Sequence, residues 1–288
     1  MTCRVVTVIV MVAILAWVGP ASAVPFFFNS GNPDGLMATA SRPSSAGKIE
    51  IETADDFVVS GGTLKLTSAT FQGLLPIGSQ LSNVKQVVVE IYRVFPNDST
   101  NPPSTNVPTR VNSPSDVAFD SRDSGSGTLS FTPGFQASSF TAANSVLNGI
   151  NKFPNQLTHG EGAVTGQQVQ FNVLFNTPFV LPADHYFFVP QVQLASGDFF
   201  WLSAARPIVP PGTPFPPGAT DLQSWIRDEN LDPDWLRIGT DIVGAGAFNA
   251  AFTVNGDLDP VPEPATLTLL ATTMAGLGAA GWRRRRAG

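Results

Sequence analysis

The sequence predicts a mainly β protein: an antiparallel β-sandwich or jelly-roll-like single domain, flanked by an N-terminal signal helix and a C-terminal transmembrane helix. Three observations support this fold class. Apolar and polar residues alternate over short segments through the middle of the chain, clusters of Gly, Pro, Asn, Asp and Ser separate those segments, and helical periodicity is nearly absent. Many half-buried strands joined by frequent turns hide their apolar faces by pairing into sheets and stacking the sheets.

Taken in chain order, Lys48–Glu52 sets Ile49 and Ile51 against Glu50 and Glu52. Thr63–Phe71 follows the turn Ser60-Gly61-Gly62. In Val84–Phe95, Val87, Val89 and Ile91 face one way, while Gln86, Glu90 and Tyr92 share the other face with Val88. Val117–Asp120 and Thr128–Phe131 lie on either side of Ser124-Gly125-Ser126-Gly127. Phe171, Val173 and Phe175 alternate with Gln170 and Asn172, and His185–Val192, Phe199–Ala204 and Phe248–Val254 complete the expected strands. One short helix is expected around Ala142–Asn148, capped by Ser139 or Thr141. The proline-rich stretches 101–115 and 207–218 read as long surface loops inside one domain.

The two ends carry a different pattern. Arg4, an apolar run of 14 residues from Val5 to Val18, the breakers Gly19-Pro20 and the small-x-small site Ala21-Ser22-Ala23 make a secretory signal peptide over residues 1–23. Fourteen residues are too few to span a bilayer, which takes about 20. At the other end, Pro262-Glu263-Pro264 precedes an uncharged run of 18 residues, Ala265–Trp282, and then Arg283, Arg284, Arg285 and Arg286. As a helix the run is about 27 Å long, close to the hydrocarbon thickness. The arginines favour the cytoplasmic side. This order resembles the PEP-CTERM sorting signal of Gram-negative bacteria. The resemblance implies recognition by exosortase, with Pro262, Glu263 and Pro264 as the sorting motif, transient insertion in the inner membrane and removal of the tail from 262–288. Stretches such as Glu52–Phe57 and Leu222–Asp228 look like parts of other exported proteins with this tail, whose activity is uncharacterised.

The body between these segments, 24–261, holds 11 basic and 21 acidic residues, a net charge of −10 against −6 for the whole chain. Nucleic acid is an unsuitable partner, since binding it depends on neutralising phosphates with basic side chains. Charged residues are 13% of the chain against a usual value of about 25%. Cys3, the single cysteine, lies in the signal segment, so the body forms no disulfide of its own.

Chemistry-bearing motifs are sparse. Asp228, Asn230, Asp232 and Asp234 alternate like the start of a calcium loop, but Pro233 and Gly239 stand where that loop needs Gly and Glu. Calcium is the only cofactor these residues suggest, against the plainer reading of an acidic turn in water. Trp225, Trp235 and Tyr92 are candidates for a glycan-binding face, whereas Trp201 belongs to a strand buried on both sides. Asp55-Asp56 reads as a strand start with both carboxylates in water, and His159 and His185 as structural or surface residues, Asp184 being ill placed to orient its neighbour. No hydrolase, P-loop or zinc motif occurs, and no catalytic residue is assigned.

The expectation is therefore a non-enzymatic protein of the cell envelope or extracellular matrix, exported by way of signal peptidase and exosortase, structural or adhesive within an exopolysaccharide layer of a biofilm. The alternatives are a glycan-binding module, with or without calcium, and third a carboxylate-dependent hydrolase. Intact-mass analysis of the secreted product checks the topology: it should begin at Val24 and lack Arg283–Arg286, and a product retaining both ends would refute this account.

Overall fold

The computed structural model describes residues 23–100, 102, 104–151 and 156–260. The signal segment up to Ser22 and the sorting residues Pro262, Glu263, Pro264 and Arg283–Arg286, with the apolar run between them, lie outside the described residues. Val24–Leu258 form one compact unit. Among the described residues, no helix is long and apolar enough to cross a membrane.

The unit is mainly β, built from two sheets dominated by antiparallel pairing. One sheet has nine strands: β1 (Val24–Asn29), β2 (Pro33–Ala40), β4 (Gly62–Leu75), β7 (Leu129–Ala142), β8 (Asn144–Val146), β9 (Val164–Leu181), β11 (Phe200–Ala204), β14 (Asn249–Ala250) and β15 (Phe252–Pro260). Its main path runs β1-β15-β4-β11-β2-β8, with β9 and then β7 laid along β4. The other sheet has six strands: β3 (Ile51–Val59), β5 (Val84–Arg93), β6 (Asp120–Asp123), β10 (Asp184–Leu194), β12 (Trp225–Asp228) and β13 (Leu236–Arg237), in the order β13-β12-β3-β10-β5-β6.

Both sheets feed one core. Phe57 and Val59 of β3, Val87, Val89 and Ile91 of β5, and Phe188 of β10 meet Phe71 of β4, Phe171 and Val173 of β9, Trp201 of β11 and Phe252 of β15. Aromatic rings join the layers, Phe188 stacking on Phe252 with centroids 5.1 Å apart, and also pair within the nine-stranded sheet, where Phe71 stacks on its neighbour Phe171 at 4.8 Å. Each such ring buries a large apolar area and gains about 0.5–1.5 kcal/mol more from the ring pairing.

The alternating segments at 63–71, 170–175 and 185–192 fall on strands, those at 84–95 and 199–204 largely so; Val87, Val89, Ile91, Phe171, Val173 and Phe175 are buried as expected, while Tyr92, expected on the wet face of β5, is buried too. The expected helix at 142–148 is absent. Asn144–Val146 instead forms β8, which pairs in parallel with β2 from Met37 to Thr39. Local propensity yields there to burial, because Val146 and its partner strand pack into a common apolar cluster with Met37 and Ala40.

Close approach fixes one glycine. A Cβ on Gly256 of β15 would collide with the Lys65 carbonyl oxygen of neighbouring β4. Gly256→Ala should therefore lower stability by about 1–3 kcal/mol in denaturant unfolding, the usual cost of overpacking. Gly134→Ala, where a Cβ meets nothing within 4 Å, should leave it unchanged within error.

Candidate functional site: the covered face of the six-stranded sheet

β3 occupies the middle of its sheet, between β12 and β10, and nearly every residue in it is buried. One face meets the main core. The other is covered by the segments between β5 and β6 and between β11 and β14, whose Val94, Ala118, Leu222 and Trp235 pack with Ala54, Tyr92, Phe187, Val189 and Trp225. Glu52, Asp55 and Asp56 are consequently 4%, 1% and 1% exposed. The expectation of an Asp55-Asp56 pair in water is corrected: the strand runs through the sheet instead of starting at its rim.

Burying a carboxylate without a partner is costly, so each needs donors. Arg227, the cross-strand neighbour of Glu52, supplies them. Its Nε donates to Glu52 Oε2, its Nη2 to the Tyr92 hydroxyl at 2.8 Å, and its Nη1 pairs with Asp232 at 2.6 Å. The guanidinium lies 4.4 Å from the Trp235 ring centroid and 5.2 Å from that of Tyr92. Burial opposes the Arg227 charge, but Glu52 outweighs it and holds the group protonated beyond its usual range. Tyr92 in turn donates to Glu52 Oε1 at 2.6 Å, with Glu90 Oε2 3.1 Å from the same hydroxyl. Burial first, and then the Glu52 charge, push Glu90 up to about 8. The same two causes raise Glu50, whose carboxylate accepts from Gln191 Nε2 at 2.7 Å.

Arg110, from the proline-rich stretch, makes a second clamp. It pairs with Asp116 at 2.5 Å and Asp234 at 2.9 Å, and its guanidinium lies 4.7 Å from the Phe95 ring centroid. These arginines determine the fate of the expected calcium loop. Asp228 Oδ1 accepts from the backbone N–H of Asn230 and Leu231, Asp232 is bonded to Arg227, and Asp234 is fully buried against Arg110. Asp228, Asp232 and Asp234 are thus engaged by three different partners: backbone N–H groups, Arg227 and Arg110. The expected glycan face is likewise corrected. Trp225, Trp235 and Tyr92 are 1%, 0% and 3% exposed, because the covering segments use them as a small second core, and no sugar ring can stack on them in this arrangement.

A second polar group gathers around the middle of β3. His185 Nε2 lies 2.5 Å from Asp56 Oδ2, one strand across, while Asp184 faces Arg93 at 3.9 Å. Burial pushes His185 down to about 4. Asp55 accepts from Ser224 Oγ and the Ala250 N–H, and Asp56 from the Leu222 N–H. Asp221 pairs with Arg206 at 3.6 Å. Desolvation, first of all, raises Asp55, Asp56 and Asp221; repulsion from Asp56 and Asp221 adds to it at Asp55, and repulsion from Asp221 at Asp56. Beside them opens a cavity of about 250 Å3, lined by Arg206, Asp221, Trp225, Gln223, Asn112 and Arg237 among others. His159 is exposed, its Nδ1 3.2 Å from the Val243 carbonyl.

Neither cluster has the geometry of familiar acid–base pairs. Glycosidase carboxyls stand about 5–9.5 Å apart to flank a bond, whereas Glu52 and Glu90 share one phenol in a packed interior. Among the described residues, no hydroxyl or thiol is hydrogen-bonded to His185. Arg110, Arg206, Asp221 and Arg227 escaped sequence reasoning. The available signal was an arginine directly after Trp225-Ile226, inside a strand-like apolar run.

Two outcomes follow. Arg227→Met strands Glu52 in the interior and should cost about 3–5 kcal/mol of unfolding free energy, while Glu52→Gln with Arg227→Met should recover much of it. Glu90 keeps its proton to about pH 8 when folded but releases it near 4.5 when unfolded, so the folded state binds more protons in that window and stability falls as pH rises through it. His185 works oppositely, but only below its ordinary 6.5. Thermal unfolding between pH 6.5 and 8 should therefore decline less steeply in Glu90→Gln than in the parent. Compared with protein-family models, curated proteins and solved structures, the chain matches none.

Proposed function

We propose that this is an exported, non-enzymatic protein of the cell envelope or extracellular matrix, structural or adhesive within an exopolysaccharide layer. Signal peptidase and exosortase would be its processing partners, and the finer description of the body as a jelly-roll-like sandwich belongs to the same reading. The observation that carries the non-enzymatic part is the use of the buried carboxylates. Buried Glu52, Asp116 and Asp234 are each tied to an arginine, Arg227 within the sheet and Arg110 in the covering segment, a structural employment of charge. The export part rests on the Pro262-Glu263-Pro264 order and its arginine tail.

A glycan-binding module, with or without calcium, is the second reading. It is favoured by the cavity beside Trp225, whose polar lining of Asn112, Thr220 and Gln223 suits hydroxyl groups better than the buried rings do. The carboxylate-dependent hydrolase stands third, for want of a carboxyl pair set across a cleft.

The export reading is tested in a host that supplies exosortase. Glu263→Ala should accumulate as a membrane-bound precursor of higher mass, and processing and release at the parental level would overturn it.

A further inference from the structure

We infer that Asp56, Asp221 and Asn249 form a site for a hard divalent cation of the calcium class, between β3 of the six-stranded sheet and β14 of the nine-stranded sheet and apart from the acidic turn at 228–234. The inference is independent of the sorting signal and concerns the body alone.

The argument starts from unpaired acceptors. Asp56 is 1% exposed and its Oδ2 takes both His185 Nε2, at 2.5 Å, and the Leu222 N–H, at 3.1 Å, while its Oδ1 has no hydrogen-bond partner. Asn249 is also 1% exposed; its Nδ2 donates to Asp221 Oδ2 at 3.3 Å and its Oδ1 has no partner. Asp221 repeats the pattern, with Oδ2 engaged by Asn249 and Oδ1 unpartnered. Three separate pieces of chain, β3, the segment before β12, and β14, thus each bring a buried oxygen that lacks a donor. Native interiors satisfy nearly all such groups, so three together point to a missing positive partner.

Charge balance points the same way. Asp55 adds a third carboxylate, its own oxygens already taken by Ser224 and Ala250. Against three carboxylates stands Arg206, its Nε 3.6 Å from Asp221 Oδ2 and without a hydrogen bond. With all three ionised, even a protonated His185 leaves negative charge in excess, the state that burial disfavours by raising each carboxyl. One divalent ion removes that excess where a water molecule cannot.

Donor chemistry selects the class of ion. All three free donors are oxygens, and the nearby imidazole nitrogen is committed to Asp56, which disfavours zinc. Calcium accepts irregular cages of six to eight oxygens completed by water, whereas magnesium demands a near-ideal octahedron. Among the described residues no three His, Cys, Asp or Glu side chains are grouped to hold a metal, and this set is of another kind, two carboxylates completed by an amide oxygen. An entry path exists, because Asp221 and Arg206 line the cavity of about 250 Å3.

The test uses the full chain, stripped with chelator and titrated with calcium chloride while thermal unfolding and heat of binding are followed. The expected result is a melting temperature that climbs with the logarithm of calcium up to roughly 10 mM, above the range of weak extracellular sites. Asp221→Asn and Asn249→Ala, each checked for an unchanged circular dichroism spectrum, should weaken the affinity by at least about tenfold, close to the second-shell and ligand losses seen at other metal sites. Arg206→Met should strengthen it. Terbium emission excited through Trp225, which lines the same cavity, should vanish in Asp221→Asn. A melting temperature indifferent to calcium overturns the inference and leaves the oxygens to protons or water. Loss of binding in Asp228→Asn or Asp232→Asn instead of Asp221→Asn also overturns it, by moving the ion to the acidic turn. Neither result bears on the processing of Glu263.

Discussion

The structure turns on one awkward strand. β3 must lie in the centre of its sheet, because Phe57 and Val59 are needed in the core, yet the same strand carries Glu52, Asp55 and Asp56. Each carboxylate taken out of water costs several kcal/mol unless charge and hydrogen bonds are returned to it. Much of what surrounds β3 is that return: Arg227 and Tyr92 at one end, and His185, Ser224 and backbone N–H groups around its middle.

The covering segments become ordered for the same reason. A stretch rich in proline and poor in apolar residues has little to bury, and no disulfide is available to hold it. Arg110 reaches from that stretch to Asp116 and Asp234, joining it to the turn after β12. Arg93 and Asp98, 2.5 Å apart, close the turn at its start. Because Phe95 lies against Arg110, and Tyr92 and Trp235 against Arg227, these ion pairs are partly dry and gain from the ring faces as well. The result is a layer of irregular chain held down by charge, over a sheet held from below by aromatic packing.

What the sequence disclosed follows from this division. Period-two segments facing the main core were legible, since Val87, Val89 and Ile91 or Phe171, Val173 and Phe175 alternate with mostly polar neighbours. β3 was legible as a strand only at its first residues, because a strand covered on both faces loses its alternation and its acids imitate a surface. Trp225 and Trp235 looked available for sugars because the residues that cover them, Tyr92, Val94, Ala118 and Phe187, arrive from other parts of the chain. β8 was misread as helix since three residues borrowed by β2 carry too little pattern of their own. Long-range pairing of this sort has no local trace.

The pairing of β1 with β15 sets Val24 opposite Leu258, so the first and last strands of the unit form a single seam. A circularly permuted chain with a short bridge across that seam would keep every strand intact. Mechanical load between the two ends would instead open the seam like a zipper, breaking its hydrogen bonds one after another. Tension entering through one end and leaving through a distant surface would have to shear the whole ladder at once.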